Sequence, residues 1–430
     1  MERRPDKHVT HTAWIDYLRA AVAANKPWDE LAREILEADG ADPRLRPAAK
    51  FVLDRDAEPH LVTRDLGRLF LGVNLQCCQC HDHPHIDDYR QQHYYGLFAF
   101  VSRTSVVQDK SLKLAVLSEK ADGEVTFQSV FDRAKLTKST GPRMPSGPVL
   151  SEPAGKKGQE YLIAPAQGVR GVPKFSRRAL LGPQLARGDV LAFRRNTANR
   201  FWAMLMGHGL VHPLDYDYPG NPPSDERLLA LLADDLAARK FDLRGFLGDI
   251  ARSKTYQRSS ELPPGATESD PDGFLNMRLQ PLSPEQLARA LMEATGMVDA
   301  ERKAVGPKVT EAALEARLTP GVAPFVKAFA NPAGTPASFD ATINQALFLA
   351  NGALIRTWLT PRPGNLVDRL TGLSGDAIAE ELYLSILTRR PTADEQREVA
   401  SFLTRRTDRA AALQDLAWAM LASTEFRFNH

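Results

Sequence analysis

Outside one window of four residues the chain has no cysteine: the three it carries are Cys77, Cys78 and Cys80 of 430 residues. That excludes a disulfide framework, because a bridge inside so short a window would be strained and would close almost no loop. Long apolar runs are also missing, and none approaches the roughly 20 residues needed to cross a bilayer. Net charge is scarcely present. Lysine and arginine number 55 against 53 acidic residues, a formal +2, which gives no electrostatic argument for a nucleic-acid or membrane-surface partner. Residues 176–430 show no nucleophile elbow, P-loop or dinucleotide fingerprint. The opening Met1–His8 is charged with no apolar core behind it, so it does not read as a signal peptide. As given, such a chain is expected to stay in the cytoplasm unless it is a fragment.

What is present is concentrated. Residues 75–85 read Leu-Gln-Cys-Cys-Gln-Cys-His-Asp-His-Pro-His, with all three cysteines and three of the ten histidines. Cys77, Cys80 and His81 spell C-x-x-C-H, the spacing that attaches a c-type haem. On a helical turn, residues three apart share a face, so both thiols can reach the two vinyl groups of a porphyrin. The imidazole of His81 then lies under the iron as its proximal ligand.

Three other readings use the same residues. Cysteine is often simply buried as a small hydrophobe. Packing alone explains poorly why three thiols are followed at once by imidazoles and a carboxylate, which are costly to bury unbound. Cys77, Cys80, His81, His83 and His85 also offer more than the four ligands of a closed zinc site. Structural zinc normally takes its second ligand pair from a distant segment, and there is no other cysteine here. A redox dithiol of Cys77 and Cys80 would want a βαβ context, which the flanking sequence lacks.

Hydrophobic residues at 43% and this length allow two or three domains with their own cores. The pattern is mainly α: helical N-terminal (1–103) and C-terminal (176–430) domains joined by a small β-hairpin and irregular segment (104–175). Apolar spacing predicts two helices over 11–38 and another over 63–74 that runs into the cluster. A further helix over 86–100 carries Tyr89, Tyr94, Tyr95, Phe98 and Phe100, which could wall a flat cofactor or simply pack. Residues 111–117 and 123–131 alternate like the two strands of one hairpin around Ala121-Asp122-Gly123. Gly207–Asp215 reads as a loop, and Ser224 as the cap of the helix after it. Pro263–Gly273 reads as a linker, and 305–337 resists assignment. Ser283 with Pro284, and Thr392 with Glu395, are helix starts.

Leu69 through Pro84, with Tyr94-Tyr95-Gly96-Leu97-Phe98-Ala99-Phe100, resembles the planctomycete cytochrome-c-like domain family of uncharacterised proteins. Asn199–Trp202, Gly207–Asp215, Asn221–Ser224, Ser253–Ser259, Arg389–Glu395 and Ser423–Phe426 resemble its usual partner, a planctomycete-specific C-terminal domain. The resemblance implies covalent haem and a periplasmic or secreted location, since the machinery that attaches haem works outside the cytoplasmic membrane. Family members carry a secretion signal and more helical sequence ahead of the part that begins here near Trp14. By that comparison a truncated or separately encoded chain is expected. Cys78 replaces the family's small residue and adds a thiol that could compete for metal. His83 and His212 match family positions, whereas His85 and His93 are particular to this chain.

The expectation is a c-type haem protein for electron transfer or haem-based redox chemistry, served by a redox partner protein. Its sixth ligand is sought among His212, Met144 and His93, in that order, because His83 is too near His81 along the backbone to reach the opposite face. A His or Met there makes an electron carrier, and an open position permits small-ligand chemistry. The alternative is a zinc-like site of Cys80, His81, His83 and His85 near Asp82, Asp87 and Asp88, which could activate water. A third expectation is a helical interaction module that the cluster merely staples.

Overall fold

A computed structural model describes residues 5–429 apart from 146, 154–157, 263, 266, 268–269, 271 and 332–341. The protein is mainly helical, with a few two-stranded sheets. It forms two compact units, one ending at Arg278 and the other beginning at Leu279.

In the first unit, Thr10 caps α1 (His11–Ala23) and Pro27 precedes α2 (Trp28–Glu37), whose Leu31, Ala32, Ile35 and Leu36 face the core. Glu58 caps α3 (Pro59–Leu66) by accepting from the His60 N–H, with Pro59 at the first helical position where it costs no hydrogen bond. The buried Arg55 donates to Asp65 at 2.7 Å and ties α3 to the preceding turn.

The helix predicted to run into the cysteines does not. After α3 it widens into a π-helical turn, Gly67–Leu71, and stops at Gly72 in the left-handed region, φ 72°. A Cβ on Gly72 would meet Asn196 Oδ1 at 3.0 Å, so the stop is set by a close approach as well as by backbone preference. Val73 then bridges to Tyr216, and a 3₁₀ turn, Cys77–Gln79, carries the motif.

The last helix of this region, α4 (Gln91–Val101), begins later than its periodicity suggests. Beyond it, β1 (Thr104–Asp109) pairs with β2 (Leu114–Glu119), and β3 (Val125–Phe127) pairs with β4 (Lys138–Thr140). The single hairpin expected from 111–117 and 123–131 is therefore wrong in its pairing. Asp109 Oδ1 accepts from the N–H groups of Ser111 and Leu112 and makes the first turn, which alternation alone does not reveal. The turn at 121–123 exists, but Arg103 holds the Ala121 and Gly123 carbonyls and leads the chain away.

Residues past 176 share this same core. Helix α5 (Leu191–Met206) donates from Asn196 to the Leu69 carbonyl at 2.8 Å and from Arg200 to the Arg68 carbonyl at 2.6 Å. Trp28 Nε1 donates to Thr197 at 3.2 Å, and the Trp28 N–H to the Phe241 carbonyl at 3.1 Å. Helices α6 (Glu226–Ala238) and α7 (Leu243–Arg252) complete the unit. Asp225, rather than Ser224, caps α6: its side chain accepts from the Leu228 N–H at 2.9 Å.

The second unit is a helical assembly around Leu291, Leu318, Phe325, Trp358, Leu382 and Leu413. Ser283 and Thr392 form full capping boxes with Gln286 and Glu395 on α8 (Pro284–Thr295) and, further on, on the helix Ala393–Thr404. Of the segment 305–337, residues 311–329 are helical despite Pro320 and Pro324, and 332–337 lie outside the described residues. Arg389 donates to both Glu395 and Glu425 and joins the helix Ala393–Thr404 to the last turn of the chain.

Candidate cofactor-attachment site

The 3₁₀ turn decides how the thiols are presented. Residues i and i+3 of such a turn eclipse one another, which brings Cys77 and the capping residue Cys80 to the two ends of one turn, and both are exposed. The turn is closed by the Cys80 and His81 N–H groups donating to the Cys77 carbonyl at 3.2 and 3.3 Å. Cys78 points the opposite way into the core and is fully buried. Burial pushes its thiol up to about 12, so it stays protonated at neutral pH.

The imidazoles differ from one another in a way that only geometry reveals. His81 Nδ1 lies 2.6 Å from the Asp82 carbonyl oxygen. A carbonyl can only accept, so Nδ1 carries a proton, and in the neutral ring Nε2 keeps its lone pair. His83 is in the opposite form. Its Nδ1 accepts from the His85 N–H at 3.2 Å, which in the neutral ring leaves Nε2 protonated and no nitrogen open to a metal. Burial, with the neighbouring His85 and His81, holds His83 below the usual histidine range. His85 is exposed, its ring centroid 6.3 Å from that of His83. Among the described residues no three His, Cys, Asp or Glu side chains come together in a group able to hold a metal ion.

Apolar surface surrounds the exposed part of the motif. The Val130 N–H donates to the Cys80 carbonyl at 2.9 Å, and the Phe131 ring lies 4.7 Å from that of His81. Val130, Phe131 and Leu136 on that loop are 66%, 73% and 61% exposed. Behind them, Tyr95 stacks on Phe127 at 4.6 Å and 5°, and its hydroxyl donates to the Gln79 carbonyl at 2.9 Å. The aromatic wall is thus divided. Tyr89, Tyr94 and Phe100 are core residues, whereas Tyr95 and Phe98 remain partly exposed.

The three distant candidates lie in different places. His93, on α4, is 7% exposed and donates from Nδ1 to the Asp88 carbonyl at 2.8 Å; burial keeps it below the ordinary range. Met144 packs against the core beside Arg143, whose N–H donates to the Gly96 carbonyl of α4. His212 stacks on His208 at 4.0 Å, and His208 reaches Asp272 at 3.2 Å. Burial, then His208 and Arg278, hold His212 below its usual range. That loop touches the cluster through Tyr89, whose ring stands 5.9 Å from His83 and 5.8 Å from Tyr218.

One residue escaped sequence reasoning, and another was read only in part. His60 lies 2.7 Å from the Tyr94 hydroxyl and 4.7 Å from the Phe98 ring, and no spacing rule connects it to the motif. Asp82 accepts from the Gln91 N–H, the first of α4, at 2.7 Å through its carboxylate. It was legible only as a nearby carboxylate.

Fold and motif together describe a helical protein with an N-terminal planctomycete cytochrome-c-like domain, as residues 2–106 match the family PSCyt2, a protein of unknown function (DUF1549). Residues 177–403, more than half of the chain, match PSD1, likewise a protein of unknown function (DUF1553), and the chain belongs to that family. No curated protein and no solved structure matches it.

Proposed function

We propose that the chain is a c-type haem protein that carries electrons, with Cys77 and Cys80 as the attachment thiols and His81 as the proximal ligand. The observation that supports this most is the pairing of two exposed thiols at the two ends of one 3₁₀ turn with an imidazole whose Nδ1 faces a backbone carbonyl, which in the neutral ring leaves Nε2 free. The residues fit the group in a second respect: Val130, Phe131 and Leu136 leave apolar surface in water beside His81 that a flat macrocycle would cover. When bound, a haem supplies one-electron chemistry at iron.

This chain's residues do the rest. Cys77 and Cys80 would be the two points of attachment, each thiol supplying the S–H that adds across a vinyl group with no leaving group. His81 would hold the group through Nε2, because the Asp82 carbonyl accepts from Nδ1 and so orients the ring. The exposed Val130, Phe131 and Leu136 of the loop 130–136 would cover one side of the group. Attachment places the working protein in the periplasm or outside the cell, where a redox partner protein would meet it. No helix among the described residues is long and apolar enough to cross a membrane.

The test is a visible spectrum and elemental analysis of protein made in a host that attaches c-type haem. The reading expects one iron and a haem band that survives denaturation. Stoichiometric zinc without iron would favour the zinc-like site of Cys80, His81, His83 and His85 instead. A folded, colourless, metal-free product would refute both.

A further inference from the structure

We propose that Asp82 is the positioning residue of the motif: its carboxylate clamps the start of α4 and thereby sets which nitrogen of His81 is offered. The proposal rests on His81 being the iron ligand, but its test does not need the iron.

Residue 82 is held at two points. Its side-chain Oδ1 accepts from the Gln91 N–H at 2.7 Å, and its backbone oxygen accepts from His81 Nδ1 at 2.6 Å. The first bond satisfies one of the N–H groups that every helix leaves open, and places a negative charge at the positive end of α4. Helix α4 lacks an ordinary cap. Arg90, at its cap position, turns its guanidinium back to the Asp87 carbonyl and caps no helix N–H, so a residue eight positions further back does that work. This fixes the 82 peptide relative to a rigid element. Its carbonyl is then aimed at His81, and the protonated Nδ1 follows. His83, one residue past this anchor, takes the opposite form because its Nδ1 faces the His85 N–H. Within three residues the same ring type is held in two tautomers, so the backbone decides the form. The Gln91 side chain adds a second tie from α4, donating to the Gln128 carbonyl at 2.9 Å in the loop that carries Val130 and Phe131.

The tautomer of a histidine is read directly from ¹⁵N–¹H correlation spectra of ¹⁵N-histidine-labelled protein. The full chain without haem is measured at neutral pH, with the His81 signal assigned by His81→Gln. The wild type is expected to show His81 protonated at Nδ1. In Asp82→Ala the ratio of the Nδ1–H to the Nε2–H form should fall about fivefold, the scale of one hydrogen bond. Asp82→Asn keeps a capping oxygen and should restore the wild-type ratio. Gln91→Pro removes the N–H that Asp82 binds, at a first helical position where proline is tolerated. It should reproduce the effect of Asp82→Ala, and it keeps the test alive if that variant does not fold. Wild-type protein with His81 in the Nε2–H form would overturn the proposal. So would an unchanged ratio in both Asp82→Ala and Gln91→Pro. If the haem-attaching host yields no haem, the haem reading alone fails, because the tautomer is measured without it.

Discussion

Three adjacent thiols behave as two kinds of residue. Cys77 and Cys80 face water, while Cys78 belongs to the core, where burial lifts its thiol to about 12. In haem-free protein a thiol reagent should modify two cysteines at once and the third only on unfolding; three fast sites would contradict the placement. Cys78→Ser should cost about 1–3 kcal/mol, the penalty for a buried hydroxyl without a designed partner, and leave labelling at the other two intact. Denaturant melting measures the cost. The C-x-x-C-H spacing was fully legible in the sequence. The inward turn of Cys78 was not, because a 3₁₀ turn of three residues leaves no periodicity to read. Nor were the tautomers of His81 and His83, which depend on single backbone contacts to Asp82 and His85.

At the level of elements, the motif depends on a helix that stops in time. Gly72 ends the π-helical turn with φ 72°, and Asn196 lies 3.0 Å from where a Cβ would be. Gly72→Ala should destabilise the first unit by about 1–3 kcal/mol, since both strain and crowding oppose it. An unchanged denaturation midpoint would show that the stop is set elsewhere. The apolar stripe of residues 66–73 predicted a continuous helix because hydrophobic spacing does not register a left-handed glycine. The caps at Ser283 and Thr392 were legible, because a capping box is local in sequence; the strand pairing was not, because partner choice depends on Asp109 and Arg103.

The second unit offers a pH test at the same level. The bond from Arg389 holds Glu395 down to about 2, against burial that would raise it. A depressed carboxylate contributes stability that is complete above its unfolded value near 4.5 and is lost as pH falls through 2. Glu395→Gln keeps the capping box and removes the charge. It should cost about 1 kcal/mol at pH 7, discounted for partial exposure, with the difference from wild type shrinking between pH 4.5 and 2. A difference that stays constant over that range would show that the ion pair contributes nothing.

Across the whole chain, family boundaries and compact units do not coincide. The match to one family ends at 106 and the other begins at 177, yet residues from both share a core through Trp28, Asn196 and Arg200. A fragment of residues 1–278 should unfold cooperatively by circular dichroism, whereas 1–176 should not, having lost the partners of Trp28 and Leu69. Cooperative folding of the shorter piece would mean the shared core is dispensable. This arrangement was not readable from patterning, which marks changes of local structure at 103 and 175 but not which segments pack together.

The central claim is that Cys77, Cys80 and His81 grip a haem, and intact mass after denaturation tests it most directly. Protein from a haem-attaching host should gain the mass of one haem, and Cys77→Ala with Cys80→Ala should abolish the gain while the fold persists. An unmodified wild-type mass in that host, from protein that is folded and labels at both exposed thiols, would contradict it.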